Sequence, residues 1–485
     1  MTARKTLLPS FALTEVTDRD DLHGVEVRVP GTARGENLHC YFTRSKLVEG
    51  ESTRRDGRPV WTPHRFNLFP VVLDSTGAPW AEANMWMLYS LQGRVSSAMS
   101  TYASIAEDLA AYRRFLDETS IDWLHFAPNK LHRPTYRFNG HLKHLVYSAE
   151  IAPSTAKRRM ATVIRFYRWL QEDGAFVPEN PPWKASDRYI QFGDRHGFKR
   201  TKAVTTTDLS IRVAQQDNPY DDRIDDGGKL RPLPQIEQEW LLDALMSLGN
   251  TEMTLIHLFG LLTGARIQTI LTFRMKHALV TLDDRSDGDL RFPVGPGTGI
   301  DTKNEKKLVL HIPLWFYRLL RIYAESDRAR SRRVRAYGGD TKEQYLFLTV
   351  RGAPFYGAQA DVNAFNEAST LRHAKVGQGV RQYIRDYVLP FIREKYGVPA
   401  FHYQFHDTRA TFGMNLVDAK LPLLEQKEAT LKDVMEFVRV RMGHASVATT
   451  ERYLTYRSRL KMVRAVQDGW EARLEKLAQQ AMGRK

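Results

Sequence analysis

The sequence predicts a mainly α-helical protein with a small β-hairpin or sheet, an α+β chain. Two patterns carry that expectation. Long segments repeat their apolar residues at spacings of 3 and 4, and one Gly-rich interval in the C-terminal half alternates with period 2. Composition agrees. The 485 residues are 42% hydrophobic and 11% aromatic, enough for two or three domains with their own cores.

In chain order, residues 1–92 mix short apolar runs with Gly, Pro and charges (VEVRVPGTARGENLHCYF, RFNLFPVVLD), a pattern of short strands and loops. Residues 93–180 turn helical. Tyr102, Ile105, Leu109, Tyr112 and Phe115 mark one helix. Met160, Val163, Ile164, Tyr167 and Leu170 mark a second, which starts at a Pro-Ser-Thr cap and ends at Gly174. The polar face of that second helix, over 154–172, carries Lys157, Arg158, Arg159, Arg165 and Arg168. Such a face suits DNA phosphates, and on its own it suits solvent equally well.

Residues 181–230 are polar and turn-rich, including TTTD and QQDNPYDDRIDDGGKLRPLP, and are expected to be a linker. Residues 231–485 form the last domain. PQIEQEWLLDALMSL is helical. TLIHLFGLLTGARIQTILTFRM is two helices broken at Thr263-Gly264. The interval from 278 to 314 holds the expected strands and a Gly-rich turn, and helices resume from Pro313 through the basic run DRARSRRVR. Ser446 is a plausible N-cap of a short helix ending near Tyr456, and GWEARLEKLAQQAM adds an amphipathic tail through Trp470, Leu474, Leu477 and Met482.

Charge narrows the partner. Lys and Arg number 71 against 56 Asp and Glu, a formal excess of +15. An excess of that size favours a polyanion, nucleic acid ahead of an acidic membrane surface. Cys40 is the single cysteine, so an intramolecular disulfide and a Cys-based zinc site are both excluded. The N-terminal MTARKTLLPSFALTEVTDRDD lacks a signal-peptide apolar region, and no run approaches the roughly 18 apolar residues of a membrane span. A soluble cytoplasmic protein is expected.

Six residues stand out as chemistry. Arg266 follows a Gly turn between apolar helices, where it must pair or face a cleft. Lys303 sits in a Gly-rich turn before a strand. His406 and Arg409, at i and i+3, share one helix face. His444 follows Gly443, and Tyr453 follows His444 by nine residues. Each has an ordinary explanation taken singly: an ion pair, a solvated turn, a helix cap, a core aromatic. Taken together they offer what phosphoryl transfer needs, namely charge on the phosphate oxygens, a nucleophile and proton carriers. Arginine forks can supply that charge, and a tyrosine hydroxyl can be the nucleophile. The motif GxxxxGK[ST], HExxH and GxSxG are all absent.

This ordered set resembles the tyrosine recombinases, the phage-integrase family: TGAR at Arg266, TKNEKK at Lys303, HDTR at His406 and Arg409, MGHAS at His444, then Tyr453. The resemblance covers about 230–460, and the helical part from about 95 to 175 is similar to the family's core-binding domain. It implies a helical DNA-clamp domain plus a catalytic domain, acting as a site-specific recombinase of a mobile element. In the implied chemistry Tyr453 forms a 3′-phosphotyrosyl link. Arg266 and Arg409 clamp the phosphate, Lys303 protonates the leaving 5′ oxygen, His406 is base or positioner, and His444 bonds a phosphate oxygen. No cofactor, ATP or metal is implied. The implied partners are double-stranded DNA and a homotetramer on two DNA sites, with accessory proteins left open, no membrane, and a bacterial, nucleoid-associated setting. Tyr456 is the second-choice nucleophile. The pattern departs at Thr269, where the family carries an acid, and in a long interval between Lys303 and His406. A type IB topoisomerase, a hairpin telomere resolvase and a catalytically silent architectural DNA-binding protein stay open as alternatives.

Overall fold

A computed structural model describes residues 2–13, 27–28, 40–41, 46–47, 61–62, 64–91, 99–172, 174, 176–193, 199–211, 223–280, 289–362, 375–444 and 446–482. The chain divides into two compact units, one of residues 1–216 with 361–374, the other of 217–360 with 375–485.

The first unit begins with β1 (Arg4–Leu13). Its partner is β6 (His64–Leu73), antiparallel from Arg4↔Leu73 to Leu13↔His64. Between them lie two-residue ladders, β2 (Val27–Arg28) with β3 (Cys40–Tyr41) and β4 (Lys46–Leu47) with β5 (Trp61–Thr62). α1 (Ala81–Leu91), α2 (Met99–Thr119), α3 (Pro134–Tyr147) and α4 (Pro153–Glu172) follow. Phe69 and Val72 of β6 join Trp86, Leu109, Tyr112, Phe166 and Tyr167 in one core, so the N-terminal strands and the helices bury the same apolar surface. At its centre Tyr112 and Tyr167 share a hydroxyl contact of 2.8 Å, and the Tyr167 hydroxyl donates to the Trp123 carbonyl at 2.7 Å. These bonds satisfy polar tips that burial would otherwise leave stranded.

Two expectations need correcting here. Residues 81–91 are helical rather than loop. AEANMWMLYSL buries Ala83, Asn84, Trp86, Met87, Leu88 and Leu91, several sides at once, so no single apolar stripe announces it. The stretch expected as a linker contains a hairpin, β7 (Ala185–Gly193) with β8 (Lys199–Thr207). Its Thr run is the β-branched end of β8, which suits a pleated strand. Residues 212–222 of that stretch lie outside the described residues.

The second unit opens with a small turn, β9 (Ile224–Asp225) paired to β10 (Lys229–Leu230). Ile224 and Leu230 are buried, which is why this turn belongs to the unit's core rather than to a linker. α5 (Gln235–Ser247) and α6 (Thr251–Thr263) come next. α6 stops at Gly264, whose φ of 64° is the left-handed cap that only glycine adopts without strain. α7 (Ile267–Leu271) and α8 (Met275–Ala278) lead to the antiparallel hairpin of β11 (Asp289–Val294) and β12 (Leu308–Pro313). α9 (Leu314–Glu325), α10 (Asp327–Arg335) and the short α11 (Gln359–Val362) follow. α12 (Gln378–Tyr383) runs through a π-helical turn, Ile384–Val388, into α13 (Leu389–Tyr396). α14 (Asp407–Glu425), α15 (Leu431–Met442) and α16 (Val447–Met482) complete the chain.

The helix after Ser446 does not end near Tyr456. It continues to Met482, because the intervening residues are helix formers without proline and Gly469 alone costs only about 1 kcal/mol. Leu474 and Leu477 are exposed on it; the Trp470 and Met482 side chains lie outside the described set. The basic run of α10 is also not a free patch. Arg332 and Arg333 are buried. Arg332 pairs with Glu252 at 2.9 Å and donates to the Leu348 carbonyl, while Arg333 pairs with Asp340 at 2.6 Å and donates to the Ala324 carbonyl. No helix of the described residues is long and apolar enough to cross a membrane.

Candidate active site

Arg409, His444, Tyr453 and Arg266 converge on one carboxylate of the second unit, Asp226. Each is placed by a different element. Gly264 ends α6 and turns the chain so that Arg266 sits in extended backbone at the start of α7. Arg409 lies in the first turn of α14. Gly443, at φ 63°, ends α15 and delivers His444. Ser446 then caps α16, its hydroxyl accepting from the Ala448 amide at 3.2 Å, and Tyr453 lies two turns in.

All three nitrogens of the Arg409 guanidinium are engaged. It donates through Nε to Asp226 Oδ2, through Nη1 to the Gly264 carbonyl and through Nη2 to the Met442 carbonyl, each at 2.7 Å. One arginine thereby joins the ends of α6 and α15 to the β9–β10 turn. His444 touches Asp226 Oδ2 through Nε2 at 3.1 Å and Thr450 through Nδ1 at 3.0 Å. The Tyr453 hydroxyl donates to the same Oδ2 at 3.1 Å, and its side chain is 0% exposed. Arg266 approaches Oδ1 at 3.7 Å through Nη2, and its buried Nε has no hydrogen-bond partner among the described residues. An unpartnered buried guanidinium donor marks a place where an anion would be stabilised.

Lys303 comes from the connection between β11 and β12, in a tight turn (Lys303–Glu305) braced by Thr302 donating to the Lys306 carbonyl at 2.6 Å. Its Nζ is 3.5 Å from the Gly227 carbonyl, so it stands over the Asp226 turn. Arg266, Lys303, Arg409, Thr269 and Arg441 line one cleft. His406 caps α14 by position, without a side-chain cap bond, and is half-buried.

The electrostatics follow from this crowding. Burial opposes ionisation of Asp226, but His444 and Arg409 hold its carboxyl far below the usual range. Burial, then the Asp226 charge, pushes the Tyr453 phenol well above 10. Burial, then repulsion from Arg409, presses the Arg266 guanidinium downward. Burial, then the charges of Arg266 and Arg409, lowers His406 to about 4, leaving it neutral at pH 7. The site is therefore cationic, holds a protonated phenol and a neutral imidazole, and suits an anion.

All six chemistry-bearing residues read from the sequence lie in this unit, and the four on Asp226 meet directly. Tyr456 packs beside the cluster containing Val438 and Met442. Asp226 was missed. DDGG has the composition of a solvated turn, and no spacing rule joins it to Arg409, 183 residues away. The α4 residues lie in the first unit. Lys157, Arg158, Arg165 and Arg168 are exposed and Arg159 is half-buried. Arg158 pairs with the buried Asp108 at 3.0 Å and Arg165 donates to Thr162 at 3.2 Å, so part of that face serves the helix packing.

No family model and no curated protein matches the chain. Among solved structures it is similar to a lambda integrase (residues 75–356) dimer bound to a COC' core site, at 14% identity over 77% of this chain and 94% of that one, with a TM-score of 0.40. It is similar to the Tn1549 transposon integrase (residues 82–397) in complex with circular intermediate DNA, at 13% identity over 76% and 94%, TM-score 0.39. A lambda integrase tetramer bound to a Holliday junction gives 14% identity over 76% and 77%, TM-score 0.35.

Proposed function

We propose that the chain is a site-specific DNA recombinase or integrase that cuts and rejoins DNA through a tyrosyl phosphodiester. One observation carries the reading: two arginines, a histidine and a tyrosine hydroxyl meet at a single anion position in a cationic site. The Tyr453 oxygen attacks phosphorus, and the bond from phosphorus to the 5′ oxygen breaks. The phenol proton passes to neutral His406. Lys303 protonates the departing 5′ oxygen, giving a 5′-hydroxyl and a 3′-phosphotyrosine. Arg266 and Arg409 carry the charge that builds on the non-bridging oxygens, and His444 donates to one of them. The 5′-hydroxyl of a partner strand reverses the step, so the phosphodiester energy is retained. The exposed α4 cations supply sequence-independent phosphate contacts. The active assembly is a homotetramer on two double-stranded DNA sites.

Covalent trapping tests this. Full-length protein and its Tyr453→Phe and Tyr456→Phe variants are mixed with nicked duplexes spanning both flanks of the gene. An SDS-resistant protein–DNA adduct is expected from the wild type and Tyr456→Phe, and none from Tyr453→Phe. An adduct that survives Tyr453→Phe removes Tyr453 as nucleophile. Salt-sensitive binding with no adduct from any variant points to an architectural protein instead.

A further inference from the structure

We propose that the Asp226 turn is a built-in phosphate mimic that shuts the site and has to withdraw before a DNA phosphate can enter. The inference rests on the reading of the site given above. The Asp226 carboxylate already occupies the point where Arg409 Nε, His444 Nε2 and the Tyr453 hydroxyl meet, at 2.7, 3.1 and 3.1 Å, with Arg266 Nη2 at 3.7 Å. Those are the groups a scissile phosphate needs. Two anions cannot share one such position, since like charges at hydrogen-bond range repel strongly in a buried site.

The turn is shaped for the part. Ile224 and Leu230 anchor its two legs in the core. Between them the Asp226 amide donates to the Gly228 carbonyl at 3.0 Å, and Gly227 takes φ +71°. A Cβ on Gly227 would stand 3.2 Å from Lys303 Nζ and 3.6 Å from Arg266 Nη2, so glycine lets the turn press into the cationic cleft. Lys303 also reaches the Gly227 carbonyl. From outside, the exposed Arg452 of α16 donates to the Asp225 carbonyl at 2.8 Å and latches the turn onto the helix that bears Tyr453. The ladder under this plug is two residue pairs long, Lys229↔Asp225 and Leu230↔Ile224, which is little structure to undo. Tyr453 meanwhile is 0% exposed, closed to any backbone phosphate while the carboxylate sits on its hydroxyl.

The test compares the full chain with Asp226→Ala and Arg452→Ala, titrating inorganic phosphate by calorimetry and timing adduct formation on the nicked duplexes. Asp226→Ala is expected to bind phosphate at least tenfold more tightly than the wild type, and adding Arg266→Ala should cancel the gain. Arg452→Ala keeps every charge of the site and should show a smaller gain together with faster adduct formation. A folded Asp226→Ala protein with unchanged or weaker phosphate binding overturns the plug and makes Asp226 a fixed positioning acid. If Asp226→Ala does not fold, because it strands buried arginines, Arg452→Ala decides: no gain in phosphate binding overturns the proposal. The phosphate arm needs no DNA. A gain there with no adduct from any variant therefore supports the plug while counting against the recombination reading.

Discussion

His406 and His257 show how burial sets chemistry one residue at a time. His257 is fully buried, its Nδ1 at 2.7 Å from the Met253 carbonyl and its Nε2 at 3.1 Å from the Tyr403 hydroxyl, and burial lowers it to about 4. His277 is held at about 4 by burial, and His406 at about 4 by burial with two arginines. Each folded value lies below the unfolded value near 6.5. Their contribution to stability is therefore complete above pH 6.5 and is lost as pH falls toward 4. For His257 the loss reaches about 2 kcal/mol by pH 5. His257→Gln is expected to shrink the drop in urea stability between pH 7.5 and 5.0 by about that amount. An unchanged drop would mean His257 is not buried neutral. At Lys303 the expectation is kinetic. Lys303→Ala should slow adduct formation, with recovery on a substrate whose leaving group needs no proton. Equal rates on the ordinary substrate exclude it as the acid. The candidate cations, histidines and tyrosine could be picked from the sequence because each sits in a short motif, TGAR, TKNEKK, HDTR or MGHAS, and the motifs stand out as an ordered set. Asp226 could not, since a carboxylate gains its meaning here only from partners that folding brings to it.

Elements hold these residues through close approaches. Gly413 of α14 lies against Tyr453 of α16, and an added Cβ would stand 2.5 Å from Tyr453 Cε1 and 3.1 Å from Met442 Cε. Gly413→Ala must push the ring aside. Overpacking of this kind costs about 1–3 kcal/mol, and a displacement of about 1 Å costs on the order of a hundredfold in rate. Adduct formation should fall at least tenfold while DNA affinity stays within about twofold. An unaffected rate would show that the ring tolerates the shift. Helices were the most legible elements: the 3-and-4 spacing located α2 and α4, the segments of α5 and α6 read as helical, and Gly264 gave the break. The reading failed where a helix is apolar on several sides, as in α1, and where a Thr-rich strand, β8, has the composition of a linker. It also split α16 in two, although no proline interrupts the stretch and Gly469 alone is a weak break.

Across the whole molecule, the excess of +15 is not spread evenly over available surface. The basic run of α10 is largely spent on Glu252, Asp340 and carbonyls, whereas Lys157 and Arg168 of α4 stand exposed. The two sets should separate in one experiment. Arg168→Ala should lower the salt slope of DNA binding by about 1, with stability unchanged. Arg332→Ala should cost about 3 kcal/mol of stability by uncovering part of the buried Glu252, and leave the salt slope alone. The reverse pattern would place the DNA track on α10. Net charge alone could not make this distinction, because it counts a buried arginine and a solvated one alike.

The carboxylate lodged among Arg266, Arg409 and His444 also bears on fidelity. A tethered occupant is never diluted, so every duplex competes with it at the same odds. Were the turn withdrawn in one molecule in a thousand, each DNA would bind the working form a thousandfold more weakly, a penalty of about 4 kcal/mol. The ratio of cognate to random affinity is unchanged by it, but occupancy is not: random duplex, held mainly by phosphate contacts, no longer fills the working form, while a cognate site that adds groove contacts still does. Selection of the correct sequence would then come before any bond is broken, as a threshold on which DNA is allowed to meet the tyrosine at all.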